Sequence, residues 1–123
     1  MAQSTQRLAY KVIAPDAGRT LATHCVVASS AWRRMIGLLN HNQLPEGEAL
    51  LIEPCKQVHM FFMRFAIDAV FVSKNNIVLG ICELKPWRLS PLYLKAHKVL
   101  ELPAGVCRDT GLRVGDRLEF VAW

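Results

Sequence analysis

The stretch from Cys55 to Asp68, CKQVHMFFMRFAID, gathers a thiol, an imidazole, two thioethers and a carboxylate among phenylalanines. Those residue types support two kinds of chemistry. The first is proton transfer. His59 has the right intrinsic pKa for a general base, provided that a carboxylate orients it, and Asp68 and Glu101 are the candidates. Cys55 or Cys107 would then be the nucleophile. The second is recognition by contact. In an extended chain Gln57, His59, Phe61 and Met63 share one face, while Val58, Met60 and Phe62 share the other. Both faces are apolar, so such a strand is either buried on both sides or lines a cavity on one. His59 would face a pocket walled by Phe61 and Met63, with Arg34, Arg64, Asp68 and Trp87 completing a binding site. A core histidine with one hydrogen bond fits the same letters.

The alternatives at each position are plain ones. Asp68 stands at the mouth of a hydrophobic strand, where an unpaired carboxylate would be costly. It either accepts backbone N–H groups from a turn or pairs with Arg34 or Arg64 at a cleft edge, and the first is the expectation. Glu101 lies between Leu100 and Leu102, where a charge ordinarily faces water or a salt bridge. Trp87 is either an exposed binding aromatic or a core closer. Cys55 and His59 would sit about 13 Å apart in an extended segment, at ~3.3 Å per residue, too far to share one ion. No closely paired cysteines exist, so structural zinc is a poor fit and no metal site is expected. No cofactor is expected either, since no glycine-rich phosphate or dinucleotide motif and no catalytic signature is present.

The elements that must position these residues are short. Residues 7–14 and 20–28 read as strands joined at Pro15-Asp16-Ala17-Gly18. Ser29 or Ser30 caps a predicted helix over 31–39, with Trp32, Met35, Ile36 and Leu39 at helical spacing. Residues 49–53, 67–73, 77–84, 97–102 and 117–122 read as further strands, with a turn at Asn75-Asn76. Residues 85–97 are an irregular crossing segment. Pro103 opens one short helical turn ending near Gly111, and Gly105 is placed for a positive φ. The fold class is therefore mainly β, with α+β as the alternative: a single-domain sandwich or small barrel of about seven short strands and one clear helix.

The bulk numbers agree. The chain has 123 residues, 52% of them hydrophobic and 20% charged. That is one globular domain, spanning 1–123, able to bury a core. No apolar run approaches the roughly 18 residues of a membrane span, and no signal peptide opens the chain, so cytoplasm is the default compartment. The formal charge of +5 is spread along the chain without a basic run, which reads as a solvated surface and makes nucleic acid an unlikely partner; the partner expected is an unidentified small molecule or protein.

The quotable pieces are Arg34-Met35-Ile36-Gly37-Leu38-Leu39, Glu48 to Ile52, His59 to Phe71, Pro86-Trp87-Arg88, Leu100 to Gly105, and Gly115-Asp116. In that order and spacing, over about residues 20–122, the chain resembles the bacterial and archaeal family called domain of unknown function 192. The family often has methionine where this chain has Leu39. The resemblance implies a compact, mostly β single domain. It implies no activity, catalytic residue or cofactor. The reading of function is a non-enzymatic binding or accessory module with an apolar groove near 58–68. A small hydrolase or transferase using His59 as general base is the alternative, and weak nucleic-acid binding driven by the +5 charge is a further one.

Overall fold

The computed structural model describes residues 9–28, 44–61 and 63–122. The predicted helix at 31–39, and Arg34 with it, lies outside the described residues.

Two hairpins form where the turn chemistry places them. In the first, β1 (Ala9–Ala14) pairs antiparallel with β2 (Arg19–Ala28). Pro15 opens a single 3-10 turn, and Gly18 closes it with φ +66°, donating its N–H to the Pro15 carbonyl at 3.0 Å. In the second, β4 (Ile67–Val72) pairs antiparallel with β5 (Val78–Leu84). Asn76 takes the left-handed conformation there, φ +68°, which asparagine tolerates better than most residues. The Ser73 hydroxyl accepts the Ile77 amide across the turn at 3.1 Å.

The remaining elements are β3 (Glu48–Ile52), β6 (Lys98–Pro103), a five-residue α1 (Val106–Thr110) and β7 (Glu119–Ala122). All seven strands lie in one sheet of order β5-β4-β6-β3-β2-β1-β7. Only β2 and β3 pair in parallel; the other neighbours are antiparallel. The fold is mainly β, as the sequence predicts. It is neither a two-sheet sandwich nor a closed barrel, because β5 and β7 remain the outer strands of a single sheet. The turn ahead of β7 nevertheless reaches the start of β5. Asn76 and Val78 exchange three backbone hydrogen bonds with Gly115, Asp116 and Leu118, each 2.8 Å long.

Each face of the sheet has its own core. Alternation along β4 divides it: Val70 and Val72 join Val12, Leu21, Cys25 and Leu102 on the first face. Ile67, Ala69 and Phe71 join Ile52, Val58, Met60 and Met63 on the second. All six residues of β4 are buried, so a strand covered on both sides reads as one continuous apolar run. Among the described residues, Leu44 and side chains of two irregular segments, in 53–66 and 85–97, pack on the second face.

Candidate functional site

Segments 56–60 and 87–93 run antiparallel as an irregular ribbon over the second face. The Tyr93 amide donates to the Lys56 carbonyl at 2.9 Å, and the Ser90 amide to the Val58 carbonyl at 2.9 Å. The Trp87 amide donates to the Met60 carbonyl, and the Met60 amide to the Arg88 carbonyl, both at 2.7 Å. His59 and Leu89 form a β-bridge between them. The buried Ser90 hydroxyl accepts the Val58 amide at 3.0 Å and donates to the Pro91 carbonyl at 2.8 Å, which satisfies it.

The expected strand geometry fails at one point. Val58 and Met60 do point into the core while Phe61 is exposed. Then the Met63 amide donates to the Met60 carbonyl at 3.1 Å. That i to i+3 bond makes a turn, and the turn returns Met63 to the core beside Met60. Met63 is buried and does not share a wall with Phe61. Period-two alternation cannot continue through a turn, and this one carries no glycine, proline or asparagine to announce it.

His59 is half-buried. Its ring stacks on Phe61, with centroids 4.7 Å apart and planes 25° apart, and Phe61 lies 6.3 Å from Trp87. Its Nδ1 accepts the Phe61 amide at 3.3 Å. An Nδ1 used as acceptor places the neutral ring's proton on Nε2, so the other nitrogen is a donor. Trp87 is 58% exposed and does not close the core. Its backbone sits at φ +68°, a conformation that costs a bulky residue about 1–2 kcal/mol.

The two carboxylates proposed to orient His59 lie on opposite faces of the sheet. Asp68 shares the face of Val70 and Val72, away from the ribbon, while Glu101 registers against Leu50 and Ala69 on the ribbon's side. Asp68 is buried, and its Oδ2 accepts the amides of Gly105 at 3.1 Å and Cys107 at 2.9 Å. It therefore serves the start of α1 and cannot reach His59 through the sheet. Nor does it meet Arg64, which is exposed. Glu101 is 1% exposed, so of the two expected surroundings, water or a salt bridge, it does not have the first. It does not lack an interaction partner.

The thiols separate as well. Burial pushes the Cys107 thiol far above its ordinary range, and the neighbouring Asp68 carboxylate pushes the same way, so both favour the protonated thiol. Burial alone raises Cys25 to about 12. Cys55 is half-buried and its Sγ donates to the Gln57 carbonyl at 3.2 Å. Among the described residues no three metal-binding side chains converge.

Sequence reasoning missed the exposed leucines of the second segment. Leu89, Leu92 and Leu94 are 58%, 55% and 73% exposed. They carry no motif. The one signal in the sequence is composition: residues 84–97 hold Lys85, Arg88 and Lys95 and no acidic residue.

Comparisons agree with this picture of a fold without an assigned reaction. Residues 12–120 match the sequence profile of domain of unknown function 192, described as an uncharacterized ACR. A UPF0127 protein of Pyrococcus furiosus is 31% identical over 108 residues, covering 84% of this chain and 91% of that one. One from Pyrococcus horikoshii is 28% identical over 99 residues, covering 76% and 84%. Two crystal structures share the fold. A candidate transcription regulator from Sinorhizobium meliloti superposes with a TM-score of 0.72 at 22% identity, over 94% of both chains. A protein of unknown function from Novosphingobium aromaticivorans superposes with a TM-score of 0.70 at 19% identity, over 92% of this chain and 83% of that one. No helix among the described residues is long and apolar enough to cross a membrane. The chain belongs to the family of domain of unknown function 192.

Proposed function

We propose that this protein is a non-enzymatic binding module, and that its contact surface is the aromatic strip of His59, Phe61 and Trp87 with Leu89 beside it. One observation carries the reading. Trp87 is 58% exposed while its backbone holds a left-handed φ of +68°. Folding stability alone favours glycine at such a position and an apolar ring in the core. A bulky aromatic kept outside on a strained backbone is what contact sites retain. The strip is also rigidly mounted, since both backbone polar groups of the fully buried Met60 are bonded to Trp87 and Arg88. The chemistry available supports contact over catalysis: Asp68, one of the two carboxylates offered to orient His59, is spent on a helix start on the opposite face.

A photo-crosslinking experiment in the producing cell tests this. Benzoylphenylalanine is placed at Phe61, at Leu89 and, as a control, at the exposed Val114 in the turn ahead of β7. The expected result is one recurrent adduct from positions 61 and 89 that is absent at 114 and disappears when Trp87→Ser is added. Equal labelling at all three positions, or none at 61 and 89, overturns the reading.

A further inference from the structure

The ribbon exposes more than the aromatic strip. Among the described residues seven large apolar side chains are exposed, and five of them lie on its two segments: Phe61, Trp87, Leu89, Leu92 and Leu94. Monomeric proteins do scatter single apolar residues over the surface, but their concentration on one element marks an interaction site. The charge on the same element is mostly of one sign. Residues 54–67 and 84–97 carry Lys56, Arg64, Lys85, Arg88 and Lys95, and neither stretch holds an aspartate or glutamate. Two acids flank these stretches. Glu53 is engaged by His97 Nε2 at 3.1 Å, and Glu83 registers with Asp68, hence toward the opposite face.

The shape of the surface narrows the partner. Leu94, the most exposed of the five, stands at the tip of a turn fixed from below: Lys56 Nζ donates to the Leu94 and Ala96 carbonyls, both at 2.8 Å. Pro86 and Pro91 stiffen the same segment. Leu92 and Leu94 rim one shallow hollow with Leu79 and Lys95, and Trp87 and Leu89 are exposed on the same segment. Exposed apolar side chains on a stiffly held segment among lysines and arginines suit a soft layer that is apolar inside and anionic outside. Tryptophan is at home at that boundary, and basic side chains meet its phosphates.

We propose that this ribbon docks the protein on the surface of an anionic lipid bilayer, with Trp87, Leu89, Leu92 and Leu94 entering the headgroup region and Lys85, Arg88 and Lys95 contacting lipid phosphates. The inference rests on the contact-module reading and names its partner. Docking is peripheral. Affinity comes from buried apolar area plus charge, and neither alone suffices.

Flotation of the full-length chain with lipid vesicles tests it. Phosphatidylcholine vesicles are compared with vesicles that also contain phosphatidylserine. The protein is expected to float only with the anionic vesicles, and raised salt is expected to release it. In Lys85→Glu/Arg88→Glu the partition coefficient is expected to fall by about fivefold or more for each charge reversed. Leu92→Ser/Leu94→Ser, both on exposed positions, is expected to reduce flotation at least as much with an unchanged thermal midpoint. Val114→Ser is expected to change nothing. Absence of flotation with anionic vesicles overturns lipid docking, as does flotation that neither double variant weakens. Salt-sensitive binding of an oligonucleotide in place of vesicles overturns it too. If flotation fails while the adducts at 61 and 89 prove to be protein, lipid docking is wrong and the contact reading stands. If the adducts are also absent, both fall.

Discussion

Asp68 on β4 accepts the backbone N–H of Cys107 at 2.9 Å and that of Gly105 at 3.1 Å. The start of α1 is capped from the sheet. Gly105 precedes the helix at φ +96°, and a glycine has no side chain with which to cap. The orphan amides of the first turn are satisfied instead by a carboxylate 37 to 39 residues earlier.

Asp68→Ala therefore leaves two amides without their acceptor and is expected to destabilise by roughly 1–3 kcal/mol. Asp68→Asn is expected to cost less, because its amide oxygen still accepts. Thermal melts of both variants beside wild type check this. An unshifted midpoint for Asp68→Ala would show that the carboxylate is not a strut.

The Tyr93 ring stacks on Phe71 at a centroid distance of 4.2 Å and lies across Gly80, where any Cβ would overlap the ring. Phe71 and Gly80 are cross-strand partners. The tyrosine thus covers a glycine in the sheet, and the missing side chain makes room for it. Gly80→Ala is expected to destabilise by roughly 1–3 kcal/mol through overpacking. The penalty is expected to shrink in a Tyr93→Ala background. A double-mutant cycle by urea unfolding measures the coupling, and simple additivity would contradict the packing argument.

Trp87 permits a prediction that separates stability from contact. Trp87→Gly relieves the left-handed backbone, whereas Trp87→Ala retains it. The glycine variant is expected to be the more stable of the two by about 1 kcal/mol. Both are expected to lose the adduct at Phe61. Denaturant midpoints give the comparison, and an alanine variant that equals or exceeds the glycine one would remove the argument from strain.

Cys25 and Cys107 titrate later in the folded chain than in the unfolded one, Cys25 at about 12 against an ordinary value of 9.0. The sign follows directly. Above pH 9 the unfolded thiols lose protons that the folded ones keep, so stability falls as pH rises. For each such thiol the slope approaches about 1.4 kcal/mol per pH unit, and the Cys25 contribution is spent near pH 12. The slope of unfolding free energy between pH 9 and 11 is expected to be shallower in Cys25→Ala. Equal slopes would place that thiol in contact with water.

Much of this fold is legible in the letters, and the failures have definite causes. The two hairpins follow from Pro15 to Gly18 and from Asn75-Asn76, because those residues select turn conformations by themselves. Asp68 is legible as a strut for a related reason: a carboxylate at the mouth of an all-apolar strand needs donors, and a helix start supplies them. Two features were not legible. The turn at Met60 to Met63 is built from apolar residues with no turn preference, so tertiary packing places it. Glu101 depends on coverage. In the alternation of β6 it opposes Leu100 and Leu102, which is the solvent side of a one-faced strand. What packs over that side, which no local signal in β6 gives, makes it an interior.

The three hydrogen bonds that tie Asn76 and Val78 to the turn ahead of β7 have a bearing on solubility. A single open sheet offers two unpaired edges, and unpaired edges invite strand addition from other molecules. Here the C-terminal turn occupies the start of one edge strand while β7 itself forms the other. One stretch of chain, residues 115–122, therefore covers both the start of β5 and the outer side of β1. Loosening that stretch would expose two templates at once, so aggregation and amide hydrogen exchange should rise together in β5 and β1, which lie toward opposite sides of the sheet.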